Sequence, residues 1–215
     1  MTLAYASLIT FTSTSNNKLP NFAQLQAIDL SNNLLTGFIP INLFTFCFCL
    51  PFIALQNNSL SGSILSSWGT QNLRPLTLDH NSLYGSIPNS LGKLDNLEEL
   101  SLNHNKINGI LPKELVGLKH LSSLKLKKNQ ITGDILPTIG NLSSIRILHL
   151  SENTFTGETP ASLILLKRES GSISKARNGK SGGVKGIEKG IAAAAGVGGS
   201  GDAGAKSECA ECAAA

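Results

Sequence analysis

Apolar positions in this chain recur in one order between residues 25 and 160: L-x-x-L-x-L-x-x-N-x-L-x-G-x-I-P, with Leu and Ile interchangeable. The first copy runs Leu25, Ile28, Leu30, Asn33, Leu35, Gly37, Ile39, Pro40. Five more copies follow, and their asparagines are Asn58, Asn81, Asn105, Asn129 and Asn153. The asparagines step by 25, 23, 24, 24 and 24 residues. A fixed period of this length marks a stack of similar coils that cannot bury their apolar sides singly. The L-x-L alternation has the period of two of a strand with one face buried. Polar x residues face outward. Each strand is expected to lie beside its predecessor in a parallel sheet. At the bend after the strand, the asparagine amide can satisfy backbone groups of the turn. Asn33, Asn58, Asn81, Asn105, Asn129 and Asn153 should therefore form a structural ladder. Glycine then permits a tight bend or a close approach, and proline suits an edge or turn that needs no amide donor.

This pattern resembles the leucine-rich repeat, and its N-x-L-x-G-x-I-P half is similar to a plant-specific subtype. That subtype occurs in receptor-like kinases, receptor-like proteins and polygalacturonase inhibitors. "LSNNLLTGFIP" at 30–40, "DHNSLYGSIPNSLGKLDNL" at 79–97 and "IGNLSSIRILHLSENTFTG" at 139–157 carry the resemblance. The fold expected is an α/β leucine-rich-repeat solenoid. Its concave face is a parallel β-sheet of about six strands, its convex arms are short helical or irregular segments, and its C-terminal tail is disordered. The resemblance further implies a second short sheet on the Gly-x-Ile-Pro segments.

Three segments are expected. Residues 1–19 are a weak leader or a degenerate capping repeat, in which Leu3, Ala6 and Leu8 show L-x-x-L-x-L spacing 22 residues before Leu25. Residues 20–168 hold the six repeats. There, "ASLILLKRE" at 161–169 reads as a short helix whose Leu163, Ile164 and Leu166 close the last coil. Residues 169–215 are rich in Gly, Ala, Ser and Lys and lack any aromatic residue. Such a composition buries too little apolar area to offset the entropy of ordering. The pattern has departures. Leu65 and Leu136 stand at the motif proline in copies two and five, Pro137 arrives one residue late, and Pro75 falls near the start of the third strand. The cysteine-paired caps of the similar plant proteins are missing at both ends.

Composition narrows the function. The net charge is +4, and eight Lys/Arg against five Asp/Glu from Lys167 onward supply three of those charges. The repeats are nearly neutral, so nucleic acid is not an expected partner. No apolar run reaches the roughly 18 to 20 residues of a membrane span. The longest, Leu43 to Leu55, contains Pro51. Cys47/Cys49 and Cys209/Cys212 lie in close pairs that would staple no long loop. Gly196, Gly198 and Gly201 match G-x-G-x-x-G without the strand and helix a nucleotide loop needs. Cys209-x-x-Cys212 lacks two further zinc ligands. No nucleophile, base and acid come together in the sequence. The chain therefore reads as no enzyme, with no cofactor and no metal.

Outward positions of the six strands stack into columns on the concave face. Two groups stand out there. His80 and His104 are accompanied by Asp79 and Asn103, and Lys125, Lys127 and Lys128 lie one coil further on, with His149 beyond. Together they predict a polar, moderately basic docking patch for an acidic peptide, a protein or a pectin-like glycan. The family resemblance implies a cell-surface or apoplastic recognition module, a fragment of a receptor ectodomain, with a co-receptor among its partners. Two other readings stand beside it: a secreted inhibitor of a cell-wall hydrolase such as polygalacturonase, or a truncated gene product without independent function. Asn57-Asn58-Ser59 and Asn141-Leu142-Ser143 are glycan acceptor sequons, the first on the concave strand and the second on the outer arm.

Overall fold

The computed structural model describes residues 2–3, 27–40, 50–68, 71–163 and 172–174. Its strands are β1 (Thr2–Leu3), β2 (Ala27–Asp29), β3 (Thr36–Phe38), β4 (Ile53–Ala54), β5 (Ser59–Ser63), β6 (Pro75–Thr77) and β7 (Ser82–Gly85). There follow β8 (Glu99–Ser101), β9 (Lys106–Ile107), β10 (Ser123–Lys125), β11 (Thr132–Asp134), β12 (Ile147–His149), β13 (Thr154–Thr156) and β14 (Ser172–Ser174). Eight of them form one parallel sheet in the order β1-β2-β4-β6-β8-β10-β12-β14. The register stacks like on like: Leu76 lies opposite Leu100, Leu100 opposite Leu124, and Leu124 opposite Leu148. The fold is the leucine-rich-repeat solenoid. The six coil strands are joined by one further strand at each end.

Both Leu positions of each L-x-L point inward, and a single core runs along the stack from Ile28 to Leu163. Convex arms of the third, fourth and fifth coils are 3-10 turns at Asn89–Lys93, Lys113–Gly117 and Pro137–Asn141. Leu91, Leu115 and Ile139 are buried in these turns. Trp68 and Leu163 fill the corresponding places in the second and sixth coils. This position, three residues after the motif proline, is a further core column that the eight-position pattern omits.

The proline departures have local explanations. Pro88 and Pro112 stand just outside the 3-10 turns, in extended conformation. In the fifth coil Leu136 takes that place and Pro137 becomes the first residue of the turn, where a missing N–H costs nothing. Pro75 is the first residue of β6, the one strand position that tolerates proline in a central strand.

The second sheet is present but displaced. It consists of β3-β5-β7-β9 and a separate β11-β13 pair. These strands lie within x-Leu-x-Gly-x and stop before the Ile-Pro pair. All six motif glycines, from Gly37 to Gly157, have φ between 68° and 86°, and this left-handed backbone bends the chain out of the strand. Above Gly62, Gly133 and Gly157 there is also little room. A Cβ at Gly133 would lie 2.8 Å from Ile110 Cγ2 of the preceding coil.

The ends differ from the sequence reading. At the N-terminus Leu3 lies opposite Ile28, a step of 25 residues instead of 22. The strand thus falls three residues before the Ala6–Leu8 alternation. A 22-residue coil would be shorter than any of the others, and pairing at Thr2–Leu3 needs only backbone groups. Ala6 and Leu8 lie outside the described residues. At the other end residues 161–163 are helical and Leu163 is buried, whereas Ile164 and Leu166 lie outside the described residues. Ser172–Ser174, within the segment that lacks the repeat pattern, pairs with β12. The rest of that segment lies outside the described residues, with Cys209, Cys212 and the Gly196–Gly201 run. So do Cys47, Cys49 and their neighbouring phenylalanines.

Candidate recognition face

The concave face begins at the bend that closes each strand. The residue just before each ladder asparagine adopts a left-handed backbone: Asn32, Asn57, His80, His104, Lys128 and Glu152 all have φ between 52° and 57°. Sequence reasoning missed this strain, although the asparagines of the first two coils were its signal. Asn and His are among the residues enriched in this conformation. The turn itself therefore contributes to the presence of two histidines here.

The next residue carries the ladder. Asn105 Nδ2 donates to Leu78 O of the preceding coil at 3.0 Å and to Leu102 O of its own coil at 3.2 Å. Its Oδ1 accepts from Leu83 N at 3.0 Å. Asn58, Asn81, Asn129 and Asn153 repeat this bridge, accepting from Leu35, Leu60, Ile107 and Ile131 respectively. Asn33 donates to Leu30 O and Ser31 O within its own coil.

The predicted docking residues do come together on the concave side, but several are already engaged. Asp79 Oδ1 accepts from Ser101 Oγ and from Asn103 N, both at 2.8 Å. Asn103 Oδ1 in turn accepts from Lys127 N at 2.7 Å. These two side chains brace the next coil's backbone where the sheet ladder has ended. Lys125 Nζ pairs with Glu99 Oε1 at 2.6 Å, and Lys127 Nζ with Glu152 Oε1 at 3.2 Å. The patch is therefore not basic as expected. Asp79, Glu99 and Glu152 balance the three lysines, and Glu99 was overlooked because it precedes the columns considered in the sequence.

What remains available is a short row on consecutive coils. The His80 and His104 rings stack with centroids 4.1 Å apart and an interplanar angle of 15°. Lys128 follows them and forms no ion pair among the described residues. Burial lowers the His104 pKa, and the charges of His80, Lys128 and Lys127 lower it further. Burial likewise lowers that of His149, helped by Lys125 and Lys127. His149 sits beside Lys125 in register, set back from the row. His120 is exposed elsewhere, on the outer arm. Among the described residues no group of three or more His, Cys, Asp and Glu is placed to hold a metal ion.

Between Glu99 and Ile147 lies Ser123, whose Oγ is buried without a hydrogen-bond partner. Removing an unsatisfied hydroxyl relieves about 1 kcal/mol of desolvation cost. Ser123→Ala should thus raise Tm by about 2 to 4 °C. A thermal melt that shows a lower Tm would mean that the hydroxyl has a partner in solution.

Asn57 is exposed on the concave side, and its amide donates to Asn32 Oδ1 at 2.8 Å. Asn141 and Ser143 are exposed at the end of the last 3-10 turn, away from the concave sheet. No helix among the described residues is long and apolar enough to cross a membrane.

The fold and this face define a leucine-rich-repeat solenoid, and known proteins narrow the class. Leucine-rich-repeat family models match residues 71–131, and also 24–46 and 144–166. One similar structure is the plant peptide hormone receptor RGFR1 in complex with RGF2. It is 34% identical with a TM-score of 0.67, and the match covers 70% of this chain and 24% of that one. Another is the Arabidopsis receptor kinase HAESA in complex with the peptide hormone IDA and the co-receptor SERK1. It is 33% identical with a TM-score of 0.62, over 64% of this chain and 24% of that one. A chain of the BIR3–SERK2 complex from Arabidopsis thaliana is 31% identical with a TM-score of 0.57, over 68% of this chain and 76% of that one. The chain thus spans about a quarter of the two peptide-bound receptors and three quarters of the third. A search of curated proteins gives no match. The chain belongs to the plant leucine-rich-repeat receptor-like family.

Proposed function

We propose that this chain is a non-catalytic recognition module whose concave face holds an extended acidic peptide or protein segment. The observation that carries the reading is the row His80, His104, Lys128. Once internal bonds are subtracted, these are the cationic or proton-accepting groups left free at the centre of the face. The similar receptors solved in complex with peptide hormones support a peptide as the ligand class. In this reading the module works at the cell surface or in the apoplast, next to a co-receptor.

A ligand carboxylate beside Lys128 and His104 adds negative charge where Lys128, Lys127 and His80 now disfavour protonation. Binding then raises the His104 pKa, and the complex takes up a proton. The sign follows: affinity is greatest below the free His104 pKa, which lies under the usual 6.5, and declines as pH rises through the bound value. The test is to pan phage-displayed random peptides against the full chain. Enriched sequences should be rich in Asp and Glu and should bind more tightly at pH 5.5 than at 7.5. His104→Asn keeps the left-handed turn, as Asn57 does, and should abolish the pH dependence. Lys128→Ala should weaken binding by about tenfold, the loss of one charge-assisted contact. Enrichment of neutral or basic peptides, or indifference to both substitutions, would sink this reading.

In the secretory pathway Asn141 is the sequon that accepts a glycan, because its surroundings are open and remote from the concave face. Expression in plant cells should give secreted protein with one glycan, lost in Asn141→Gln and kept in Asn57→Gln. Unmodified intracellular protein would count against the cell-surface assignment.

A further inference from the structure

Among the described residues four large apolar side chains are exposed: Leu34, Phe38, Tyr84 and Ile110. All four lie on the segments of the second sheet, none on the concave sheet. The two aromatic ones sit within the first three coils. There, residues 34–40, 59–65 and 82–88 contain no charged residue. The matching stretches of the next three coils carry Lys106, Asp134 and Glu158.

The register places the two rings. Phe38 lies opposite Ser61 and Tyr84 opposite Ser63, on the two sides of β5. A side chain at Gly62 would collide with the Phe38 ring, and Gly62 itself is buried. The ring therefore rests on the Gly62 backbone, yet Phe38 remains 57% exposed. Tyr84 is 49% exposed. Strands spaced by about 4.8 Å put β3 and β7, which carry the rings, about 10 Å apart. Ser63 stands on the strand between them. The hydroxyls of Ser59, Ser63 and Ser86 are exposed and make no hydrogen bond among the described residues.

We propose that the flank formed by β3, β5 and β7 binds an uncharged, extended polysaccharide chain. Phe38 and Tyr84 are its two stacking platforms, and Ser63 is the hydrogen-bonding group between them. An aromatic face carries the negative side of the ring quadrupole, and the C–H bonds on one face of a pyranose ring are its match. The gap between the platforms is about the span of two linked pyranose units. A serine hydroxyl both donates and accepts, as each sugar hydroxyl does. With no charged side chain on these three stretches, the surface offers an acidic ligand no counter-charge, in contrast to the concave row. Two observations disfavour a peptide or protein here. The backbone of β5 is already paired with β3 and β7, so an added strand finds no open edge. Ser63 also separates the rings, which therefore form no continuous apolar core of the kind a protein partner buries.

The test is calorimetric titration of the full chain with cellohexaose, an uncharged linear oligosaccharide. It should bind, and an oligogalacturonate of the same length should not displace it. Phe38→Ala and Tyr84→Ala should each weaken binding by about tenfold, on the scale of one ring contact. Phe38→Tyr and Tyr84→Phe keep the rings and should keep the affinity. Lys128→Ala should leave cellohexaose binding unchanged, so the result stands apart from the peptide-binding proposal. Absence of cellohexaose binding, binding that survives both alanine substitutions, or displacement by oligogalacturonate overturns the glycan site. Self-association in analytical ultracentrifugation that is lost in Phe38→Ala with Tyr84→Ala would assign the flank to a second copy of the chain and overturn it as well.

Discussion

Asn105→Ala should lower the unfolding free energy by about 3 kcal/mol, the cost of leaving several buried polar groups unsatisfied together. Leu83 N–H loses its acceptor, and Leu78 O and Leu102 O lose a donor. All of these atoms sit inside the stack, where water cannot replace the missing amide. Urea denaturation measures the loss directly, and a thermal melt should show Tm lower by about 6 to 12 °C. Two comparisons separate the ladder from asparagine substitution in general. Asn96→Ala removes an exposed bond to Gln71 O and should cost well under 1 kcal/mol, as surface changes do. Asn33→Ala removes bonds within one coil and should cost less than Asn105→Ala. If Asn105→Ala were as mild as Asn96→Ala, the coils would be held by leucine packing alone.

The ladder was legible in the sequence because one residue type recurs at one place, and a buried amide has few other uses. The core was legible for the same reason: the period of two within L-x-L is a direct record of which side faces inward. The concave patch was less legible. Asp79, Asn103, Lys125 and Lys127 stand at outward strand positions that the repeat makes readable, but their partners come from neighbouring coils. The bonds Asp79 to Asn103 N, Lys125 to Glu99 and Lys127 to Glu152 each join residues 24 to 26 positions apart. Lys125–Glu99 and Lys127–Glu152 cross from one column to another, which a column read down one strand position at a time cannot show, whereas Asp79 and Asn103 share a column and are joined through a backbone amide that a list of side chains omits. The left-handed turn at His80 and His104 escaped because its usual marker, asparagine, is present in two of six coils. Trp68 escaped because the convex core position holds Trp, Leu or Ile, and no single letter recurs. The tail was read from composition, whereas strand pairing at Ser172–Ser174 uses backbone groups that composition does not record.

Leu100→Ala is expected to be the other severe change, at about 3 kcal/mol within the 2 to 5 typical of such truncations. Leu100 is fully buried at the centre of β8, between Leu76 and Leu124. The cavity weakens two interfaces at once, those to the third and fifth coils. In a solenoid, stability is a sum of coil terms and nearest-neighbour interface terms, so this loss falls where the stack is coupled. Leu163→Ala, at 7% exposed in the sixth coil, removes a slightly less buried side chain and should cost less. The single tryptophan makes the coupling measurable. Trp68 lies in the second coil, so its fluorescence reports the N-terminal side, while circular dichroism reports the whole sheet. In the unaltered chain the two signals should unfold together. In Leu100→Ala they should part, because coils on either side of the weakened interfaces can melt independently. Coincident transitions in the variant would show that the interfaces flanking Leu100 keep enough coupling to hold the stack as one cooperative unit.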